Sequence, residues 1–133
     1  MYSMDRYSAK FLTWSNFAFL IPLVLAIYFH VWLSTFVLIG VFSISFLYHR
    51  SEEKRFKQLD ALLAWLLILS NVWICYLGKF IAPYFTIVVL LVVIALYFYF
   101  YEQKRNRILG HSFWHIFSSL ITLFSILTFL QIK

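Results

Sequence analysis

Charge is scarce in this sequence. Only 12% of its 133 residues are Asp, Glu, Lys or Arg, against 64% hydrophobic. A soluble domain of this length has too high a surface-to-volume ratio to hide so large an apolar fraction. The bilayer is therefore the expected solvent for most of the chain. Cysteine is almost absent as well. The single Cys75 excludes an internal disulfide and any cysteine-based metal site, and reads as a small packing residue. Residues 1–10 lack an apolar core, and the first apolar run leads straight into another, so no cleavable signal peptide is expected. The net charge of +6 raises nucleic acid as a partner, but the basic residues sit in short loops between apolar runs. There they act as topology signals and anionic-lipid contacts, and no nucleic-acid binding is expected. There is no internal repeat and no room for a soluble domain.

The apolar runs set the architecture. Residues 16–48 form an uncharged stretch of 33 residues. As one helix it would be about 50 Å long, against a hydrocarbon core of about 30 Å. It is expected to break near residues 30–34 into helices over about 13–29 and 33–49, with Pro22 kinking the first. A third helix over about 60–77 stops near Gly78 and Lys79. A fourth over about 81–101 carries Pro83 in its first turn, and a fifth over about 111–132 follows Gly110. The fourth helix reads TIVVLLVVIAL and then YFYFY, a lipid-facing wall ending in an interfacial aromatic belt. The expected fold is all-α, one polytopic transmembrane bundle of about five spanning helices covering residues 1–133.

The basic residues orient it. Arg6, Lys10, Arg50, Lys54, Arg55, Lys57, Lys104, Arg105 and Arg107 fall on one side, and Lys79 and Lys133 on the other. That asymmetry predicts a cytoplasmic N-terminus and a C-terminus outside.

Against this background five polar residues stand out. Ser45 and His49 close the second helix, Asp60 opens the third, and His111 and His115 open the fifth. The topology puts all of them at the cytoplasmic end. Ionisable groups inside spanning segments are costly and are read as functional. His111 and His115, four apart, share a helix face, so both rings can reach one metal. Ser45 sits one turn deeper than His49 on the same face. Each residue also has a plainer reading. The histidines could simply hydrogen-bond at the interface, Ser45 could bond its own backbone, and Asp60 could cap the third helix. Taken together they balance charge. Three neutral imidazoles around Zn²⁺ leave a double positive charge, which a bound hydroxide and an ionised Asp60 cancel. Three protein ligands leave zinc an open position, as in catalytic sites. With Asp60 as fourth ligand the site would be closed and structural.

Two weaker patterns accompany the cluster. His111, His115, Ser118, Thr122 and Ser125 form one polar stripe on the last helix, and Asn71 follows Asp60 by three turns on the third. Such stripes either line a groove for a lipid head group or let helices pack closely. His30 falls on the opposite side and reads as an interfacial or loop residue, and Glu52 and Glu53 as solvated.

At these residues the chain resembles the CREST superfamily of membrane proteins, which includes alkaline ceramidases, progestin/adipoQ receptors and myomaker-like relatives. The resemblance rests on SFLYH (45–49), LD (59–60) and HSFWH (111–115), with WSNFAFLIP (14–22) similar to the first helix of ceramidase-like members. It implies zinc held by His49, His111 and His115, with Asp60 and Ser45 supporting the bound water, and hydrolysis of a lipid amide. The family is usually seven-helical. Two helices fewer between Asp60 and the histidine pair imply a more open pocket or one completed by a second copy. The acidic cluster that binds calcium in true alkaline ceramidases is missing, since Asp5 is the only acid before Glu52, which argues against ceramide as the substrate.

The expected function is thus an intramembrane zinc-dependent hydrolase of a lipid amide or ester. Zinc-bound hydroxide is the nucleophile, Asp60 the general base, and Ser45 a hydrogen-bond donor to the oxyanion or to the zinc-bound water. The alternative is a non-catalytic membrane protein, receptor-like or membrane-remodelling, in which zinc staples the helices.

Overall fold

An apolar run can pair its backbone N–H and C=O groups without water along its own helix. The computed structural model describes residues 14–51, 54–102 and 107–132, and the side chains at 48–51, 54, 56–57, 101–102 and 107–111 lie outside that description. Among the described residues the chain is all-helical, with no strand. A short helical stretch beginning at Trp14 passes through a 3-10 turn, Phe17–Phe19, into α1, Leu20–Tyr28. α2 is Trp32–Ser51, α3 is Lys54–Leu77, α4 is Tyr84–Tyr97 and α5 is Arg107–Leu130. α4 runs on into a π-helical turn, Phe98–Glu102. The hub is α5, which packs on α1, α3 and α4, while α2 packs on α1 and α3.

The 3-10 turn has a local cause. Pro22 offers no N–H to the Ala18 carbonyl four residues back, and its ring crowds that carbonyl, so the helix tightens where the bond is missing. The break expected near residues 30–34 falls at Phe29 and His30. Val31 N–H bonds the Ala26 carbonyl at 2.8 Å and His30 N–H bonds that of Ile27 at 3.2 Å, the paired bonds of a Schellman helix end. Its left-handed position, usually glycine, is held by His30 at φ 59°.

The same device ends α3. Phe80 N–H reaches the Cys75 carbonyl at 3.0 Å and Lys79 N–H that of Tyr76 at 2.9 Å, with Lys79 at φ 57°. Gly78 is not the left-handed residue. It is buried, and a Cβ there would stand 2.8 Å from the carbonyl carbon and oxygen of Thr128. This glycine serves the close approach of α3 to α5.

Two helices start earlier than the sequence suggested. α3 begins at Lys54 rather than Asp60, because Lys54, Arg55 and Lys57 are good helix formers and carry the helix into the basic loop. α5 begins at Arg107 and takes Gly110 into its first turn.

By length and composition, Gln58–Leu77 and Ser112–Leu130 are apolar enough to cross a membrane, while Trp14–Tyr28, Trp32–Leu47 and Tyr84–Phe100 are shorter apolar stretches. The interior mixes small polar side chains with an apolar core that includes Phe19, Leu38, Ile74 and Ile126, and the exterior is apolar. Asn16, Ser34, Ser45, Ser112, Thr122, Ser125 and Thr128 are buried, and Trp65, Leu69, Val72, Leu90 and Val93 are exposed.

Candidate functional site

Hydroxyls in the described helices mostly turn back on their own backbone. Thr35 donates to the Val31 carbonyl, Ser70 to Leu67, Ser119 to Ile116, Thr122 to Ser118, Ser125 to Ile121 and Thr128 to Phe124, all at 2.7–3.0 Å. This local bond satisfies the hydroxyl without recruiting another helix. Ser45, only 1% exposed, behaves differently. Its side chain lies toward the Asp60 carboxylate on α3, within reach of a hydrogen bond, and its Oγ lies 3.5 Å from Nε2 of His115 on α5. The structure thus brings together Ser45, Asp60 and His115 from three helices.

Asp60 sits well inside α3 because that helix begins at Lys54. Capping a helix start is therefore not its role. An ionised carboxylate only accepts hydrogen bonds, so Ser45 gives it its hydroxyl proton and presents lone pairs toward His115.

His115 is 4% exposed and is held from both sides of its ring. Nδ1 lies 3.1 Å from the hydroxyl of Ser15, which is buried in the helical stretch ahead of α1. Phe19 closes on the ring edge-on, at 5.8 Å between centroids. Asn16, fully buried, donates from Nδ2 to the Phe42 carbonyl of α2 at 3.2 Å and ties the Ser15 segment to that helix. Ser15 was not among the residues singled out from the sequence. The available signal was the Ser15-Asn16 pair heading an otherwise apolar run.

The side chains of His49 and His111 lie outside the described residues. Both positions are helical, His49 one turn past Ser45 on α2 and His111 one turn before His115 on α5. Among the described residues no group of three or more His, Cys, Asp or Glu side chains is placed to hold a metal. The arrangement is not a Ser-His-Asp triad either, because that chemistry needs the carboxylate on the imidazole and here it is on a serine.

The aromatic end of α4 braces the first turns of α5. Phe98 packs at 4.9 Å from Phe113 and 5.3 Å from Phe117, and Tyr99 at 5.3 Å from Trp114. The run read as a lipid-facing belt is therefore divided. Phe98 is half-buried against α5, while Tyr97 and Phe100 are exposed.

Away from this cluster, the expected stripe on α5 is a packing face. Its buried members are Ser112, His115, Ser119, Thr122, Ser125 and Thr128, with Ser119 in the place expected for Ser118. Asn71 donates from Nδ2 to Thr122 Oγ1 at 3.0 Å, and the buried Cys75 side chain lies toward Ser125. His30 lies exposed in the turn between α1 and α2.

No protein-family model, characterised protein or solved structure matches this chain. The meaning of the cluster must come from its own geometry.

Proposed function

We propose that the protein is an intramembrane zinc-dependent hydrolase of a lipid amide or ester, built on a polytopic helical bundle of the CREST kind. The observation that carries this reading is the meeting of Ser45, Asp60 and His115 from three helices, in an interior where most hydroxyls bond their own backbone. A merely packed interior has no need of a half-buried carboxylate two turns inside a helix.

The membrane setting is supported by the inverted distribution of polarity. Only 28% of the Gln58–Leu77 window is buried, whereas the core helix of a soluble protein is mostly covered. Large apolar side chains face outward and small polar ones inward, the pattern of helices packed in lipid. α4 is rich in β-branched residues with little helix propensity in water, and in hydrocarbon such a run still closes its own backbone bonds. The excess of Lys and Arg in the segments beside the site favours the cytoplasmic face for it.

Three imidazoles are a donor set that zinc favours. His115 is buried with Nε2 toward Ser45, and His49 lies one helical turn past Ser45 while His111 lies one turn before His115. These three histidines would be the ligands. When bound, zinc supplies Lewis acidity and a nucleophile at neutral pH. Asp60 takes the proton of the attacking group and passes it to the leaving group. As Asp60 gains that proton its hold on the Ser45 hydroxyl weakens, and Ser45 can then donate to the developing oxyanion.

A second reading, zinc as a staple in a non-catalytic membrane protein, is favoured by the rest of α5. Its hydroxyls are packed between helices and bonded at home, which suits a closed bundle better than a lipid-lined groove. Chelation separates the two. A staple melts when zinc is removed, and an enzyme keeps its fold and stops turning over.

Elemental mass spectrometry of the protein purified in detergent tests the reading. About one zinc per chain is expected, lost in His49→Ala and in His111→Ala. Asp60→Asn should keep the metal and lower turnover of a lipid amide by roughly 100-fold or more. Wild-type protein that holds no zinc, and takes up none when it is added, would end the hydrolase proposal.

A further inference from the structure

We infer that Ser15 is a positioning residue for the zinc site, fixing the tautomer and orientation of His115. The inference rests on the zinc reading above. A neutral imidazole carries one N–H and one lone pair, and only the nitrogen with the lone pair can bind a metal. Nδ1 of His115 faces the Ser15 hydroxyl at 3.1 Å, and Nε2 faces Ser45, which is bonded to Asp60. If Ser15 accepts the Nδ1 proton, the Nε2 lone pair is turned toward the Ser45–Asp60 side. Metal-binding histidines are commonly held in this way by an acceptor on the far nitrogen.

A hydroxyl suits the position for a second reason. Without metal, a Ser45 that donates to Asp60 can only accept from His115, which would put the ring proton on Nε2 and leave Nδ1 to accept. Ser15 can donate in that state and accept in the metal-bound one. A carboxylate or an amide N–H there would serve only one of them.

Three features hold Ser15 in place. It is 4% exposed, its neighbour Asn16 is fully buried and anchored to the Phe42 carbonyl, and Phe19, one turn on, packs its ring against His115. The segment ahead of α1 is thus a preformed wall of the site that the histidine motif alone does not reveal.

The test is zinc affinity of the full chain in detergent, measured by competition with a chromogenic chelator. Ser15→Thr and Ser15→Val have nearly the same volume and differ in the hydroxyl. Ser15→Thr should bind zinc as wild type does, while Ser15→Val and Ser15→Ala should bind about 10- to 100-fold more weakly. Asn16→Ala loosens the same segment without touching His115, and should weaken zinc far less than Ser15→Val. His115→Ala should lose the metal. Equal affinity in the Thr and Val variants overturns the role of Ser15 and leaves the zinc reading standing, as does an Asn16→Ala loss matching that of Ser15→Val. A wild-type chain that binds no zinc, or a His115→Ala chain that still does, removes both readings.

Discussion

Along the second half of α5, Ser119, Thr122, Ser125 and Thr128 each give their proton to a carbonyl three or four residues back. In the first half, His115 reaches Ser15 on one side and the Ser45–Asp60 pair on the other. The two halves lie on one helix face and are equally buried. They differ in where their polar atoms are satisfied. A hydroxyl bonded to its own helix is in effect a small apolar side chain, and it lets a neighbour come close, as Gly78 does at Thr128. The ring nitrogens of His115 meet hydroxyls from two other helical segments. Burial and residue type therefore do not mark a site here. The direction of the hydrogen bonds does.

The largest expected effect sets one half against the other. His115→Leu should take bound zinc from about one per chain to near zero. Thr122→Val, at an equally buried position, should leave zinc content unchanged. It should cost only about 0.6 kcal/mol of stability, the usual size of a polar contact between membrane helices, because it removes the acceptor for Asn71. Elemental analysis and reversible unfolding of both variants check this. Zinc loss in Thr122→Val would mean that the distinction between the halves is false.

Next in size is the packing half itself. In Gly78→Ala the new Cβ meets backbone atoms of Thr128 and Phe129 at 2.8–2.9 Å, and backbone cannot rotate aside. A destabilisation of about 1–3 kcal/mol is expected. At Gly40 the nearest atom is a Leu63 methyl at 3.2 Å, which can move, so Gly40→Ala should cost clearly less. Comparing the two by unfolding in mixed micelles tests whether α3 and α5 are in rigid contact. Equal costs would show that the approach at Gly78 relaxes freely.

Much of this was legible in the sequence, for identifiable reasons. Uncharged runs and their breaks mark helices because the spacing of charge is coarse and survives local detail. The helix starts are harder to see, since α3 and α5 run back past Asp60 and His111 into basic segments whose Lys and Arg form helix well. Ser45 and Asp60 stood out because each is an isolated polar group in an apolar context. Ser15 did not, because a serine near the start of a first helix looks like a cap or a packing residue until its partner, 100 positions away, is placed beside it. Ser118 and Ser119 show a finer limit. Adjacent serines both fit the helical period, and only packing shows which one is buried.

The smallest effect concerns the turns, where sequence and geometry disagree most plainly. Lys79 holds a left-handed conformation although Gly78 stands next to it, because Gly78 is needed against α5. Lys79→Gly relieves about 1–2 kcal/mol of backbone strain. It also gives the unfolded chain more freedom, which offsets about 0.4–1 kcal/mol of that gain. A net stabilisation of about 0.5–1 kcal/mol is expected from these opposing terms. His30→Gly should show a similar gain, since His30 fills the equivalent position after α1. Neither variant should alter zinc affinity, because both turns lie at the far end of the helices from His115. A gain at Lys79 with a loss at His30 would mean that the His30 side chain contributes stability that the backbone geometry does not show.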